Sequence, residues 1–402
     1  MKILLVCKSL PPGVSGGIQT HTWKLSEALV RLGHEVSILT AGSYKKGVQI
    51  AESGGRTLIE LPYLPGRRLP LLGKWAEEWA FNVAARRWLR QYASAYDIVH
   101  LQGRSGFMAV GHTGQTPVIQ TIHGLIGVEN HHGKQTHWTD VLHQRWATYW
   151  ERRALNGVHG LVAVSAETAR NIGQLSAGAL PKTSIISNGV GGPVQASEAS
   201  EAFFLFIGRL CTIKGIFPLV KAMKMLPEHI RLVMIGDVPE RQALERAIEA
   251  AGLQHRIQLT GALPQDVVFS YLQRAKALVT PSFFETQGIV LLEAGACAKA
   301  VIATAVGGIP EVVMDQENGL LVPPDDPAKL AEAMAYLDAH PEAAQRLGAN
   351  GQNRVKALYS WEKVALETER FYGNVLAQHH KNITRQTGIG SIVKPAYVWV
   401  TR

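Results

Sequence analysis

Two glutamates, Glu285 and Glu293, stand eight positions apart in the stretch PSFFETQGIVLLEAGACAKAVIATAVGGIPEVV, residues 281–313. Residues 277–282 (ALVTPS) read as a short buried strand and 288–298 as an apolar helix. Glu285 is therefore expected at the carboxyl end of a strand, and Glu293 about a turn into the helix that follows. Backbone N–H groups at a helix start favour anionic oxygens, and open α/β sheets bind ligands at that strand edge. A carboxylate such as Glu293 can accept hydrogen bonds from paired hydroxyls, as on a ribose. Taken alone the spacing is weak, because exposed helix glutamates are common.

A second pair lies upstream. Phe206-Ile207-Gly208-Arg209-Leu210-Cys211-Thr212-Ile213-Lys214-Gly215 puts Arg209 and Lys214 at a strand end and in the loop leading to a helix. Two fixed cations suit a diphosphate: arginine grips oxygens in a fork and lysine adds a point charge. Gly208 and Gly215 allow close backbone approach. By themselves these residues also read as an ordinary surface.

The elements that must position these groups alternate. Strands are expected at 2–7, 36–40, 97–102, 117–122, 160–164 and 183–187, then at 203–207, 231–235, 256–260, 277–281 and 300–304. A glycine-rich turn, Gly13-Val-Ser-Gly16-Gly17, precedes a helix from about Ile18 to Leu32, which Gly33 ends. Repeated βα units predict parallel sheets covered by helices on both faces. Gly, Pro and Ser cluster at 190–201, which marks a linker. Residues after about 380 show no periodicity and read as a tail.

The chain has 402 residues, enough for two domains, with 46% apolar and 18% charged residues, as in folded proteins. No apolar run reaches the roughly 18 residues that span a bilayer. The amino-terminal apolar stretch ends at Lys8, too short for a signal peptide. Three scattered cysteines (Cys7, Cys211, Cys297) imply neither a disulfide framework nor a zinc site, and a cytoplasmic setting follows. Residues 1–200 carry twenty Lys and Arg against twelve Asp and Glu, so +8 of the total +9 lies in the first half. That half is expected to meet something anionic, a membrane surface or a phosphorylated molecule, or simply to be a basic solvated surface. No aromatic-plus-basic module points to nucleic acid. Residues 67–90 mix Arg67, Arg68, Lys74, Arg86, Arg87 and Arg90 with Trp75, Trp79, Phe81 and Trp88, consistent with an interfacial helix or with a buried helix whose arginines are paired. His123, His131, His132, His137 and His143 follow no standard zinc spacing.

Arg209 and Lys214 followed by Glu285 and Glu293 resemble the donor site of retaining GT-B glycosyltransferases of family 4 (glycosyl transferases group 1). Gly16-Gly17, Leu32-Gly33-His34-Glu35-Val36, Ser187-Asn188-Gly189-Val190, Gly236-Asp237, Gly307-Gly308-Ile309-Pro310-Glu311 and Tyr359-Ser360-Trp361-Glu362 resemble the family's other phrases, over roughly 1–376. The resemblance implies an α/β fold of two doubly wound Rossmann-like domains facing across a cleft. It places the acceptor domain at 1–190, a linker at 191–202, the donor domain at 203–360, a last helix of about 361–378 crossing back to the first domain, and a tail at 380–402.

The same resemblance implies roles. Arg209 and Lys214 would neutralise the departing nucleoside diphosphate, with Gly208 beside them. Glu293 would hold the ribose, and Glu285 the donor sugar. The main chain of Thr286, Gln287 and Gly288 would touch sugar or phosphate, and His123 would sit near the sugar's reactive side. Gly16 and Gly17 would let the amino-terminal loop approach the donor. Gln287 departs from the phenylalanine frequent in the family, and its carboxamide is expected to contact the donor sugar. The co-substrate would be UDP- or GDP-linked, with no cofactor and no metal, and the acceptor a sugar, lipid or lipid-linked molecule. The setting would be glycolipid, polysaccharide or cell-envelope glycan synthesis, in the cytoplasm or on the inner face of the membrane. Alternatives on the same fold are a sugar-nucleotide epimerase or hydrolase, or a non-catalytic binder. A nicotinamide dehydrogenase is disfavoured, since the first turn lacks G-x-G-x-x-G.

Overall fold

The computed structural model describes residues 1–11, 16–63, 73–129, 138–191 and 202–387, the side chains of 73–75, 129, 138–140, 386 and 387 excepted. In the first part of the chain β1 (Lys2–Val6), α1 (Gly17–Arg31), β2 (Glu35–Gly42), β3 (Gln49–Ser53), β4 (Arg56–Pro62), α2 (Gly73–Tyr92) and β5 (Ile98–Gln102) lead to β6 (Val118–Ile122). Then come α3 (Ile126–Glu129), α4 (Trp138–Gly157), β7 (Gly160–Ala163), α5 (Ala166–Leu175) and β8 (Thr183–Ile185). Their strands form one sheet in the order β3-β4-β2-β1-β5-β6-β7-β8, parallel except for the β3–β4 pair.

The second part runs β9 (Phe203–Ile207), α6 (Ile216–Met225), β10 (Arg231–Ile235), α7 (Arg241–Ala250), β11 (Ile257–Gly261), α8 (Gln265–Arg274), β12 (Ala277–Thr280) and α9 (Ile289–Ala296). It closes with β13 (Ala300–Thr304), α10 (Ile309–Val312), β14 (Leu320–Val322), α11 (Pro327–Ala339) and α12 (Pro341–Leu358), before α13 (Trp361–Thr387). The sheet order is β11-β10-β9-β12-β13-β14, and every pairing is parallel.

The strands are apolar without alternation because both faces are covered. Phe204 and Phe206 enter one core layer, while Phe203 and Leu205 enter the opposite one. In the first domain Leu4 and Val6 face one layer, and Ile3 and Leu5 the other. That second layer is closed by α13: Trp361, Val364, Ala365, Phe371, Tyr372 and Val375 pack with Ile3, Leu5, Leu25 and Leu29. The chain thus leaves the first domain near Val190 and returns at Ser360. The two crossings lie side by side, with Val190 N–H donating to the Tyr359 carbonyl at 2.8 Å.

Three features differ from the sequence expectation. The β3–β4 hairpin was not expected; it joins by Gly54-Gly55, β3 is exposed along nearly its whole length, and β4 buries only Arg56, Ile59 and Leu61. Nor was the short edge strand β14 expected. Helix α13 continues to Thr387, so 380–387, expected as tail, are helical; its apolar face on the first domain ends at Leu376, and His379 Nε2 then donates to the Gln115 carbonyl at 2.7 Å. Residues 192–201 of the expected linker, residues 388–402, Arg67, Arg68, His131, His132, His137 and the side chains of Lys74 and Trp75 lie outside the described residues.

Candidate active site

A cleft of about 800 Å³ opens where the carboxyl ends of the two sheets face each other. Its second-domain wall holds Gly208, Arg209, Lys214, Glu285, Thr286, Gly288 and Glu293; its first-domain wall holds Gly16, Gly17, Gln102, Arg104, His123 and Asn188. Of the eleven residues assigned donor-site roles from the sequence, Gln287 alone does not line it.

Each donor-wall group arrives by a strand-to-helix turn. β9 ends at Ile207 and delivers Arg209, which is exposed and forms no ion pair among the described residues. Lys214 follows in a 3-10 turn that Gly215 closes in the left-handed region, φ 73°. β12 delivers Glu285. The Nζ of Lys214 donates to Glu285 Oε2 at 2.5 Å, so the cation and the carboxylate assigned separately to phosphate and sugar are one ion pair here. Gly288, with φ 82°, caps α9, whose first turn lines the cleft at Ile289 and Val290.

Glu293 lies a turn further in and is buried. Gln265 Nε2 donates to its Oε1 at 2.7 Å. Burial pushes its pKa up to about 7, and the Gln265 bond only partly offsets this. Gln265 opens α8 just past the end of β11, and the same strand-end rule that marks Glu285 would have found it.

On the facing wall, His123 Nε2 donates to Gln102 Oε1 at 3.1 Å. Gln102 is placed by His100, whose Nε2 lies 2.7 Å from Thr121 Oγ1 and whose Nδ1 lies 2.6 Å from the Tyr372 hydroxyl. Burial, then the neighbouring His21 and His100 rings, hold His123 well below the ordinary histidine range. It is therefore neutral near pH 7, with Nδ1 left as the acceptor. His21 packs edge-on to it at 4.7 Å, and burial drops its pKa to about 4. Both His21 nitrogens and Asn188 Oδ1 are buried, and Asn188 opposes part of the fall in the His21 pKa. Gly17 reaches the donor wall: a Cβ there would sit 3.3 Å from Ile289 Cδ1.

Gln287 requires a correction. Its Oε1 accepts from the Asn188 backbone N–H at 2.9 Å and from Asn188 Nδ2 at 2.6 Å, and the side chain is buried. The carboxamide oxygen is committed to the first domain.

Two doubly wound domains, joined by paired crossings and facing across a polar cleft with a cation-and-carboxylate donor wall, define a GT-B glycosyltransferase. Family models agree: Glycosyltransferase Family 4 matches residues 15–191, and Glycosyl transferases group 1 matches 193–354. The chain belongs to the glycosyl transferases group 1 family. It is 27% identical over 381 residues to the D-inositol 3-phosphate glycosyltransferase of Xylanimonas cellulosilytica, covering 88% of this chain and 90% of that one. It is 28% identical over 409 residues to the alpha-maltose-1-phosphate synthase of Mycolicibacterium smegmatis, covering 94% and 100%. Among solved structures, sucrose-phosphate synthase from Thermosynechococcus elongatus superposes with a TM-score of 0.77 at 26% identity, over 94% of this chain and 99% of that one.

Proposed function

We propose that the enzyme is a retaining glycosyltransferase that moves a sugar from a nucleoside diphosphate, UDP- or GDP-linked, to an acceptor hydroxyl. The observation that carries this reading is the convergence of Arg209, Lys214, Glu285, Glu293 and the start of α9 on one wall, opposite neutral His123. Glu293 takes the ribose hydroxyls. Arg209, Lys214 and the α9 N–H groups take the diphosphate, so fixed positive charge meets the charge that develops on the leaving group. Glu285 and His123 Nδ1 accept hydrogen bonds from donor-sugar hydroxyls.

In the transfer step the bond from the anomeric carbon to the phosphate oxygen breaks, and its electron pair leaves with the diphosphate. The acceptor oxygen attacks from the same face, and its proton passes to the departing phosphate oxygen. Neither step needs a second carboxylate as nucleophile. On this reading fixed cations carry the charge that a divalent ion would otherwise neutralise.

The acceptor side is the basic one. On the outer faces of α2 and α4, Arg86, Arg87, Arg90, Arg145, Arg152 and Arg153 have no ion pair among the described residues. The described carboxylates of those helices are committed elsewhere: Glu77 to Lys8, and Glu78 and Glu151 to Arg104. Arg86, Arg90 and Arg153 converge on His112, whose pKa is held down by burial and then by their fields. Trp79, Leu142 and Tyr149 are exposed on the same two helices. Unpaired arginines beside exposed aromatic and aliphatic groups fit an anionic membrane surface, which supports a lipid-linked acceptor in envelope glycan synthesis. Among the described residues no helix is long and apolar enough to cross a membrane.

The test of the donor assignment is thermal stabilisation by UDP, GDP and ADP, with NAD as control, on the wild type and on Lys214→Ala. Stabilisation by one diphosphate, lost in the variant, is the expected result. Stabilisation by NAD alone would overturn it. A product assay that yields altered or hydrolysed donor and no new glycoside would favour the epimerase or hydrolase alternative.

A further inference from the structure

A carboxylate of the second domain caps a helix of the first. Glu311, on α10, accepts from the Ala166 N–H at 2.8 Å through Oε2 and from the Glu167 N–H at 3.0 Å through Oε1. These are the first two N–H groups of α5. The third, on Thr168, is taken by the helix's own N-cap, Ser165 Oγ, at 3.0 Å. A helix start has no internal partners for these donors, so α5 is complete only when the second domain is in place. The stem of Glu311 is itself fixed, since its carbonyl accepts from Arg354 Nη2 at 2.9 Å and from the Tyr359 hydroxyl at 3.0 Å.

The segment that carries Glu311 also grips the donor loop. The Gly308 N–H donates to the Glu285 carbonyl at 3.0 Å. A Cβ on Gly307 would lie 2.0 Å from the Glu285 carbonyl oxygen, and one on Gly308 would lie 2.1 Å from that of Thr286 and 3.1 Å from Ser165 Cβ. Residues 307–311 therefore fill the gap between α5 and the loop that presents Glu285. On the loop's other flank, Gln287 is bonded to Asn188. The donor loop is therefore held on one flank by residues 307–311 of its own domain, themselves docked on α5, and on the other by Asn188 of the first domain.

We infer that Glu311 is a positioning residue that registers the first domain, with His123, onto the donor loop by capping α5 across the interface. The inference rests on the donor-site reading above for what the loop does. It does not rest on that reading for the contact itself.

The test compares Glu311→Ala, Glu311→Gln and Ser165→Ala with the wild type. It uses the diphosphate that stabilises the wild type and the matching sugar nucleotide. Arg209, Lys214 and Glu293 all belong to the second domain, so diphosphate affinity in Glu311→Ala should stay within about threefold of wild type, because the contacts to phosphate and ribose are unchanged. Turnover should fall on the order of 10²-fold, the scale of an ångström-sized misplacement. The radius of gyration of the diphosphate-bound state, from small-angle scattering, should be larger than that of the wild type. Glu311→Gln keeps a carbonyl acceptor and should recover part of both losses. Ser165→Ala, which weakens the same helix from within its own domain, should lower the melting temperature but leave turnover and scattering unchanged. Equal losses of affinity and turnover in Glu311→Ala, or wild-type turnover and scattering, would overturn the inference. A wild type that binds no diphosphate would instead overturn the donor-site reading.

Discussion

Lys214 and Glu285 satisfy each other, so an arriving diphosphate must compete with a carboxylate for the lysine. Glu285→Gln removes that competitor. It should tighten diphosphate binding several-fold in calorimetry while lowering turnover, because the donor sugar loses its carboxylate; weaker binding would mean that Glu285 chiefly holds the lysine in place. Glu293 has the opposite problem. Its folded pKa of about 7 lies above the unfolded value, so the folded state holds its proton longer than the unfolded state does. Its contribution to stability is therefore greatest below the unfolded carboxylate pKa, declines as pH rises, and is lost once pH passes about 7. Glu293→Gln should flatten the stability–pH curve between about pH 4.5 and 7 and raise the melting temperature of the ligand-free protein at pH 8. An unchanged slope would show that the carboxyl ionises normally. Both glutamates, and both cations, were legible because each follows a buried strand. The Lys214–Glu285 pairing was not, since sequence spacing cannot say which way two side chains seventy residues apart will turn. Gln287 reads as a sugar ligand for the same reason: its polarity is visible, but Asn188 as its partner is not.

The helices and strands that carry the site follow from continuous apolar runs covered on both faces. That signal is strong for β9 and β12, and it fades for β3, whose residues are nearly all exposed. The last helix illustrates a different limit. Its start is marked by the Tyr359-Ser360-Trp361-Glu362 phrase, but beyond Leu376 it adds nothing to the first-domain core, so no apolar stripe marks where it ends. The Tyr372 hydroxyl, buried in α13, is tied to His100. Tyr372→Phe would leave that imidazole nitrogen unsatisfied in the core and should cost about 1–3 kcal/mol of stability in urea denaturation. Because His100 also places Gln102 against His123, turnover should fall with it. A neutral effect on stability would show that water replaces the lost hydroxyl.

For the molecule as a whole, the charge imbalance read from the sequence becomes a surface: α2 and α4 present six arginines that no carboxylate answers among the described residues. Part of the basic segment at 67–90 turns inward: Phe81, Ala85 and Leu89 are core residues of α2. Binding to vesicles containing anionic phospholipid should exceed binding to neutral ones and fall as salt rises, since exposed charges are screened beyond roughly 8–10 Å at physiological ionic strength. Neutralising Arg86, Arg90 and Arg153 together should abolish the preference, and sedimentation unchanged by that substitution would remove the membrane from the proposal. The paired crossings at Val190 and Ser360 have a mechanical consequence. β1 and α13 both pack in the first domain, so tension applied between those two elements bypasses the second domain, which hangs on two adjacent crossings joined by a hydrogen bond. The nucleotide-holding half is an unstressed loop in the force path, and it would begin to stretch only after the half that meets the acceptor had come apart.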